Sequence, residues 1–184
     1  MSVASASFVL AQRRLWFFKI QTTRQPLSRR AALLQQLLES GADLIGSHEL
    51  HVNEVWRKVM AIRYPLDASA ALAAADGHTL LPPTSAGRRD AIETAGGFST
   101  NRTFNSDLEF VFRAFFFLKL RNVDEFLYIR RSRAGSLTQA PETGILSPAR
   151  EAHSAALRKD FERIKRKEHR LGGLGLQDAP PERS

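Results

Sequence analysis

One pair of histidines and one pair of carboxylates are the first places to look for chemistry in this chain. His48 and His51 stand three apart in His48-Glu49-Leu50-His51. A zinc hydrolase helix needs its two imidazoles four apart, with a glutamate base between them, so that both ring nitrogens share one face. The spacing misses that requirement, and solvent-exposed or capping roles account for both rings. His78, His153 and His169 are isolated in the sequence. Asp124 and Glu125 are adjacent, and adjacent side chains of a helix point apart, so capping a helix start is their ordinary use. No Gly-x-Ser-x-Gly elbow supports a serine nucleophile. Neither Gly96-Gly97 nor the Gly172–Gly175 run follows a strand and opens a helix, as a phosphate cradle must. Asn101-Arg102-Thr103 matches the glycosylation sequon, a three-residue pattern that arises often by chance. With no cysteine, disulfides, thiolate metal sites and a cysteine nucleophile are excluded. The sequence therefore predicts no catalytic residue, no metal site, no cofactor and no small-molecule substrate, in a protein that is not an enzyme.

Charge offers more. The chain has 184 residues, 43% of them hydrophobic, a net charge of +8 and a pI near 10.6. That length holds one ordinary domain with a real core, and that charge suits a polyanion, an anionic lipid surface or an acidic protein. The charge is unevenly placed: residues 1–38 carry six basic residues and no acid, residues 39–110 carry six basic and ten acidic, and residues 111–184 carry fifteen basic and nine acidic. A mildly acidic middle lies between two basic ends.

These charges need elements to hold them. Residues 5–20 read as an amphipathic helix with Phe8, Leu15, Trp16, Phe17 and Ile20 opposite Arg13, Arg14 and Lys19. Such an acid-free, Arg- and Ser-containing start is the pattern mitochondrial import selects. A second helix is predicted from Pro26 to Gly41, with Leu33, Leu34, Leu37 and Leu38 as its buried edge. Ser47 would cap a third, whose apolar positions Val52, Val55, Trp56, Val59 and Met60 follow helical spacing until Pro65. An Ala-rich helix capped by Asp67 and closed by Gly77, and a short turn over 89–94, complete the centre. Ser106 and Glu109 form a Ser-x-x-Glu capping box before Phe110–Leu120, nine of whose eleven residues are apolar. That run is too short to cross a bilayer, which takes roughly 20 residues. Asp124 would cap a further helix ending at Gly135. Ser147-Pro148 would open a long one reaching Arg170, with Leu157, Phe161 and Ile164 as a narrow apolar seam.

The expected fold is mainly α: an irregular helical protein of about five to seven helices with extended basic N- and C-terminal arms. Its expected parts are a basic targeting-like arm over 1–25, a helical core over 26–135 packed by Trp56, Val59, Phe112, Phe115 and Phe116, and a linker, basic helix and tail over 136–184. The candidate contacts with rRNA or a partner are Arg13, Arg14, Lys19, Arg29 and Arg30 at the N-terminal end, and Arg130, Arg131 and Arg133 near the middle. Arg158, Lys159, Arg163, Lys165, Arg166, Lys167 and Arg170 on the last helix complete the set. Neither patch has the aromatic pattern of a base-stacking RNA module, so contact with phosphates is expected.

Residues 101–126 add a resemblance. Thr103-Phe104, Arg113, Phe117-Leu118, Leu120, Arg121 and Asp124-Glu125 are similar to a motif of the mitochondrial ribosomal small-subunit protein family numbered thirty-three. The chain departs from it where Lys119 replaces a glycine, where one extra residue precedes Asp124, and where the family's Lys/Gly-rich tail is reduced to Arg170–Gly175. The resemblance implies a non-catalytic subunit of the mitochondrial ribosome. Together with the basic ends, it makes the expected function a structural subunit bridging rRNA and neighbouring proteins in mitochondria. The alternatives are an accessory subunit of an inner-membrane respiratory complex, with its N-terminal helix lying on the membrane surface, and a helical adaptor for an acidic protein.

Overall fold

A computed structural model describes residues 28–54, 56–99, 105–132 and 144–168, together with the backbone of 15–17. The chain is not mainly helical. Five strands, β1 (Leu15–Phe17), β2 (Leu44–Asn53), β3 (Lys58–Ile62), β4 (Ala86–Arg88) and β5 (Leu120–Ser132), form one mixed sheet. Five helices accompany it: α1 (Arg29–Ser40), α2 (Ala68–Ala74), α3 (Arg89–Thr94), α4 (Ser106–Ala114) and α5 (Pro148–Lys165).

β2 is the axis of the sheet. Along one edge it pairs in parallel with β5, from Leu44 opposite Leu120 to Asn53 opposite Ser132. Along the other it pairs antiparallel with β4 at its start and with β3 at its end. A central strand covered on both faces has no solvent side, so its sequence does not alternate. Leu44 belongs to one core cluster and its neighbour Ile45 to another, as successive side chains of a strand must. Ile45 packs beneath α1 with Leu33, Leu34, Leu37, Val123 and Leu127. Leu44 and Leu120 pack on the opposite face with Leu72, Phe110, Phe112, Leu157 and Phe161.

The departures from the helical expectation have local causes. Residues predicted as one helix from Ser47 fold instead as the β2–β3 hairpin. Asn53 Oδ1 accepts the Trp56 N–H at 3.0 Å, and Arg57 takes a positive φ of 50° to reverse the chain. Apolar residues at helical spacing then fall on the turn and on an open strand, where Trp56 and Val59 are 65% and 66% exposed and pack no core. The segment predicted to be a helix from Asp124 is the second half of β5. Its Val123, Phe126, Tyr128 and Ile129 are β-branched or aromatic, which suits a half-buried pleat. Two register shifts between Ser47 and Glu49 mark irregularities that bring Phe126 opposite His48. Leu15–Phe17, expected within a helix, pair antiparallel with β4. The remainder of that expected helix, and both basic arms beyond 28 and 168, lie outside the described residues.

Four helical expectations hold in place. α1 ends at Gly41 in the left-handed conformation (φ 60°). Asp67 caps α2 by accepting the Ala70 N–H at 2.9 Å, although the helix stops at Ala74. α3 occupies the turn before Gly96-Gly97. Ser147 Oγ accepts the Arg150 N–H at the start of α5, which ends at Lys165. The capping box at Ser106 does not form. Asn105 is the N-cap residue, with φ 62°, and Glu109 turns inward to Arg113.

Candidate functional site

Two walls face each other across a narrow crevice of about 10 Å³, room for about one water molecule, whose lining includes Gly77, His78, Leu80, Pro82, Asp107 and Val111. The first wall is the loop after α2, and both central strands pin it. Asn122 of β5 donates through Nδ2 to the carbonyls of Thr79 and Pro65, each at 2.7 Å. Thr84 Oγ1 donates to the Leu81 carbonyl at 2.7 Å and accepts the Ser47 N–H of β2 at 3.3 Å. Gly46 makes room for this arrangement, since a Cβ there would lie 2.3 Å from Asn122 Oδ1. The Arg158 guanidinium of α5 donates to the Asp76 carbonyl and lies 3.8 Å from its carboxylate, which fixes the loop's beginning.

The second wall is the start of α4. Asn105 Oδ1 accepts from Arg150 Nε at 3.2 Å and its Nδ2 donates to Ser154 Oγ at 2.9 Å, tying the helix start to α5. One turn in, Glu109 and Arg113 form an ion pair with both side chains 0% exposed. Arg113 Nε and Nη2 donate to the two Glu109 oxygens at 2.9 and 3.1 Å, and Nη2 also donates to the Gly97 carbonyl at 2.6 Å. A pair this dry holds the helix in a single register, because separating it would strand a charge in the core. Phe112 of α4 stacks on Phe161 of α5 with ring centroids 4.4 Å apart. Asp107 stands at the cleft on this rigid base. Its Oδ1 accepts the Leu108 N–H at 2.9 Å, and among the described residues it forms no salt bridge.

Burial pushes the His78 pKa below its ordinary value, followed by the positive charge of Arg158; Arg130 and Arg150 add to the effect and Asp107 opposes it. The residue as a whole is exposed although much of the protein crowds round its ring, so water tempers the shift. The neutral imidazole is favoured near neutrality.

A second polar group runs along β2 and β5. The Glu49 side chain, 1% exposed, accepts from Arg130 Nη2 at 3.1 Å, and the same nitrogen lies 3.2 Å from His51 Nδ1. A guanidinium only donates, so Nδ1 of His51 is the acceptor and Nε2 carries the proton it shares with Ser132 Oγ at 2.8 Å. Burial, and then the Arg130 charge, lowers the His51 pKa. Burial raises the Glu49 pKa against the pull of Arg130. The Tyr64 hydroxyl is pushed above its usual range by burial and by Glu49.

A larger cavity of about 430 Å³ lies between α1 and the start of β5, lined by Gln36, Ser40, Leu66, Arg121 and Asp124 among others. Of the two carboxylates on its lining, Asp124 is already committed and Glu125 forms no salt bridge among the described residues. Asp124 accepts from His48 Nε2 at 3.0 Å and from Arg63, and the His48 bond holds its carboxyl below the usual carboxylate range. His48 Nδ1 accepts the Tyr64 N–H at 3.1 Å. The smaller crevice is the one that sets a carboxylate without a salt bridge beside an imidazole, Asp107 beside His78. Among the described residues no group of three or more His, Asp or Glu side chains gathers to hold a metal ion.

The cations expected to contact rRNA are dispersed. Arg29 is buried, donates to the Pro83 carbonyl at 2.7 Å and lies over the Tyr128 ring. Arg130 is held by Glu49, Arg131 by Glu54 at 2.7 Å, and Arg158 by Asp76. Lys165 donates to the Leu72 carbonyl and to Glu162, and Arg163 and Arg166 lie 3.9 and 2.8 Å from Glu168. Arg30, Lys159 and Lys167 are exposed. Arg13, Arg14, Lys19, Arg133 and Arg170 lie outside the described residues. α5 is thus no all-round cationic rod: Leu157, Phe161 and Ile164 are buried against the rest of the core. Asp107, which the sequence did not single out, and His78, which stands isolated in it, are the pair the fold brings to one crevice. The available signal was the aspartate between Ser106 and Glu109, the two residues read as a capping box.

No family model and no curated protein matches the chain. Solved structures do. The chain is similar to S. aureus TarS 1-349 in complex with UDP-GlcNAc, with 14% identity and a TM-score of 0.55 over 84% of this chain and 50% of that one. Two further structures, of S. aureus TarS 1-349 and of S. aureus TarS, have TM-scores of 0.49 at 12% and 15% identity. They cover 85% and 86% of this chain, and 50% and 30% of theirs. The chain spans about half the length of TarS 1-349. The shared feature is an α/β fold. That fold overturns the expected role as a structural ribosomal subunit, and with it the respiratory-subunit and helical-adaptor alternatives, all of which assumed a mainly helical chain.

Proposed function

We propose that this chain forms part of a nucleotide-sugar-dependent glycosyltransferase, with Asp107 as the general base. The observation that carries the reading is the fold likeness to a protein solved with UDP-GlcNAc bound. Asp107 supports it locally: a carboxylate at a cleft, one oxygen held by a backbone N–H and no cation neutralising it, is suited to receiving a proton. In the reaction, an acceptor hydroxyl oxygen forms a bond to the anomeric carbon of the sugar as the bond from that carbon to the diphosphate oxygen breaks. The hydroxyl proton passes to Asp107, and the nucleoside diphosphate leaves with the electron pair. Glu109–Arg113 and Asn105 keep the carboxylate fixed while this happens.

The test uses water as the acceptor. The full chain is incubated with UDP-GlcNAc and UDP release is followed, with the exposed Asp90→Asn as a control. Asp107→Asn is expected to slow release by about 10²–10⁴-fold, the usual contribution of general-base catalysis. Absence of UDP release by the wild type, or an unaltered rate in Asp107→Asn, would refute the reading.

A further inference from the structure

Four histidines lie among the described residues, and three of them are committed. His48 bridges Asp124 and the Tyr64 N–H, His51 bridges Arg130 and Ser132, and His153 lies 3.2 Å from Asn105. His78 makes no hydrogen bond to any described residue, and it is the one that shares a cleft with Asp107. Gly77 beside it is open, with nothing within 4 Å of where a Cβ would stand. The crevice is therefore lined by both an imidazole and a carboxylate without a side-chain partner among the described residues, together with apolar Leu80, Pro82 and Val111, and it has room for about one hydroxyl or water. We propose that His78 is a positioning residue that hydrogen-bonds the attacking hydroxyl, water or acceptor, and orients its proton toward Asp107. This rests on the glycosyltransferase reading above.

Chemistry favours histidine for such a task. A neutral imidazole offers one donor and one acceptor, so it can hold a hydroxyl oxygen without taking its proton. A permanent cation there would instead pair with Asp107 and weaken it as a base. The surroundings keep the ring neutral: Arg158 and Arg150 face it from α5 and Arg130 from β5, and Asp107 from α4 is the opposing charge. Arg158 is itself anchored to Asp76, in the loop that carries His78.

Two readouts test this on the full chain. The first needs no turnover: the ring protons of His78 are followed by NMR against pH in the wild type, Asp107→Asn and Arg158→Met. The midpoint is expected to fall in Asp107→Asn and rise in Arg158→Met. An unmoved midpoint in Asp107→Asn means the two groups do not face each other, and the proposal is overturned. The second is UDP release from UDP-GlcNAc. His78→Ala is expected to lower kcat by about ten- to a hundred-fold, the scale of a misplaced reactant, with KM for UDP-GlcNAc unchanged. His78→Gln, which keeps a donor and an acceptor, recovers part of the loss. An active wild type with an inactive Asp107→Asn and a fully active His78→Ala would sink this proposal alone. A wild type that releases no UDP would sink the glycosyltransferase reading and the role of His78 with it.

Discussion

Replacing Arg113 with methionine should unfold this protein more readily than any surface change, and the size of the effect follows from the burial of one ion pair. Both Glu109 and Arg113 are 0% exposed, so Arg113→Met takes from the buried Glu109 carboxylate the guanidinium that donates to both of its oxygens. Breaking a buried pair from one side costs about 3–5 kcal/mol. The Gly97 carbonyl also loses its donor, which adds about 1–3 kcal/mol where that oxygen stays dry. The double variant Glu109→Met, Arg113→Met removes both charges and fills the same space with apolar atoms. Such exchanges are often neutral or stabilising by about 1–4 kcal/mol. Urea unfolding of the wild type, both single variants and the double variant gives the full cycle. The account predicts a double variant well above either single one in stability. A loss below about 1 kcal/mol in Arg113→Met would place the pair in solvent, on the scale of exposed ion pairs, and would dismantle the rigid base assigned to Asp107.

Two further predictions follow from the central strands. The His51 pKa is lowered in the fold, so between that value and the ordinary one near 6.5 the unfolded chain binds more protons than the native one, and stability is lost as pH falls through this window. Glu49 acts in the opposite sense: its raised pKa means that stability is lost as pH climbs above about 4.5 toward the folded value. Urea midpoints at pH 7 and pH 5.5 should therefore differ more in a Glu49→Gln background than in the same background carrying His51→Asn; equal slopes would contradict the His51 assignment. Gly46→Ala should cost about 1–3 kcal/mol by overpacking, since the new methyl meets Asn122 Oδ1, Leu80 and Thr84 together. A wild-type urea midpoint in that variant would mean that the cleft loop is not seated on β2 as described.

How much of this was legible in the sequence depends on whether the signal was local. Gly41, Asp67, Gly96-Gly97 and Ser147-Pro148 are punctuation that acts within a few residues, and the helix ends they mark lie where expected. β2 and β5 carry no such signal. A strand buried on both faces has no polar alternation, and in β5 Asp124, which looks like a helix cap, serves His48 and Arg63 across the sheet. Val52, Val59 and Met60 satisfied helical spacing by coincidence, because a tight reversal at Asn53–Arg57 places them on two strands. The candidate site was illegible for a related reason. His78 and Asp107 are 29 positions apart in the chain, and only the pinning of one loop by Asn122 and Thr84 brings them to one cleft. Charge counting drew attention to arginines that the fold uses to bind its own carboxylates and carbonyls.

The most direct trial of the central claim is a titration of the full chain with UDP-GlcNAc, followed by calorimetry and by the ring resonances of His78. The account predicts saturable binding, in the micromolar to millimolar range typical of enzyme substrates, with a His78 resonance that moves in step with occupancy. Heat that never saturates, or saturable binding that leaves His78 undisturbed, would contradict it.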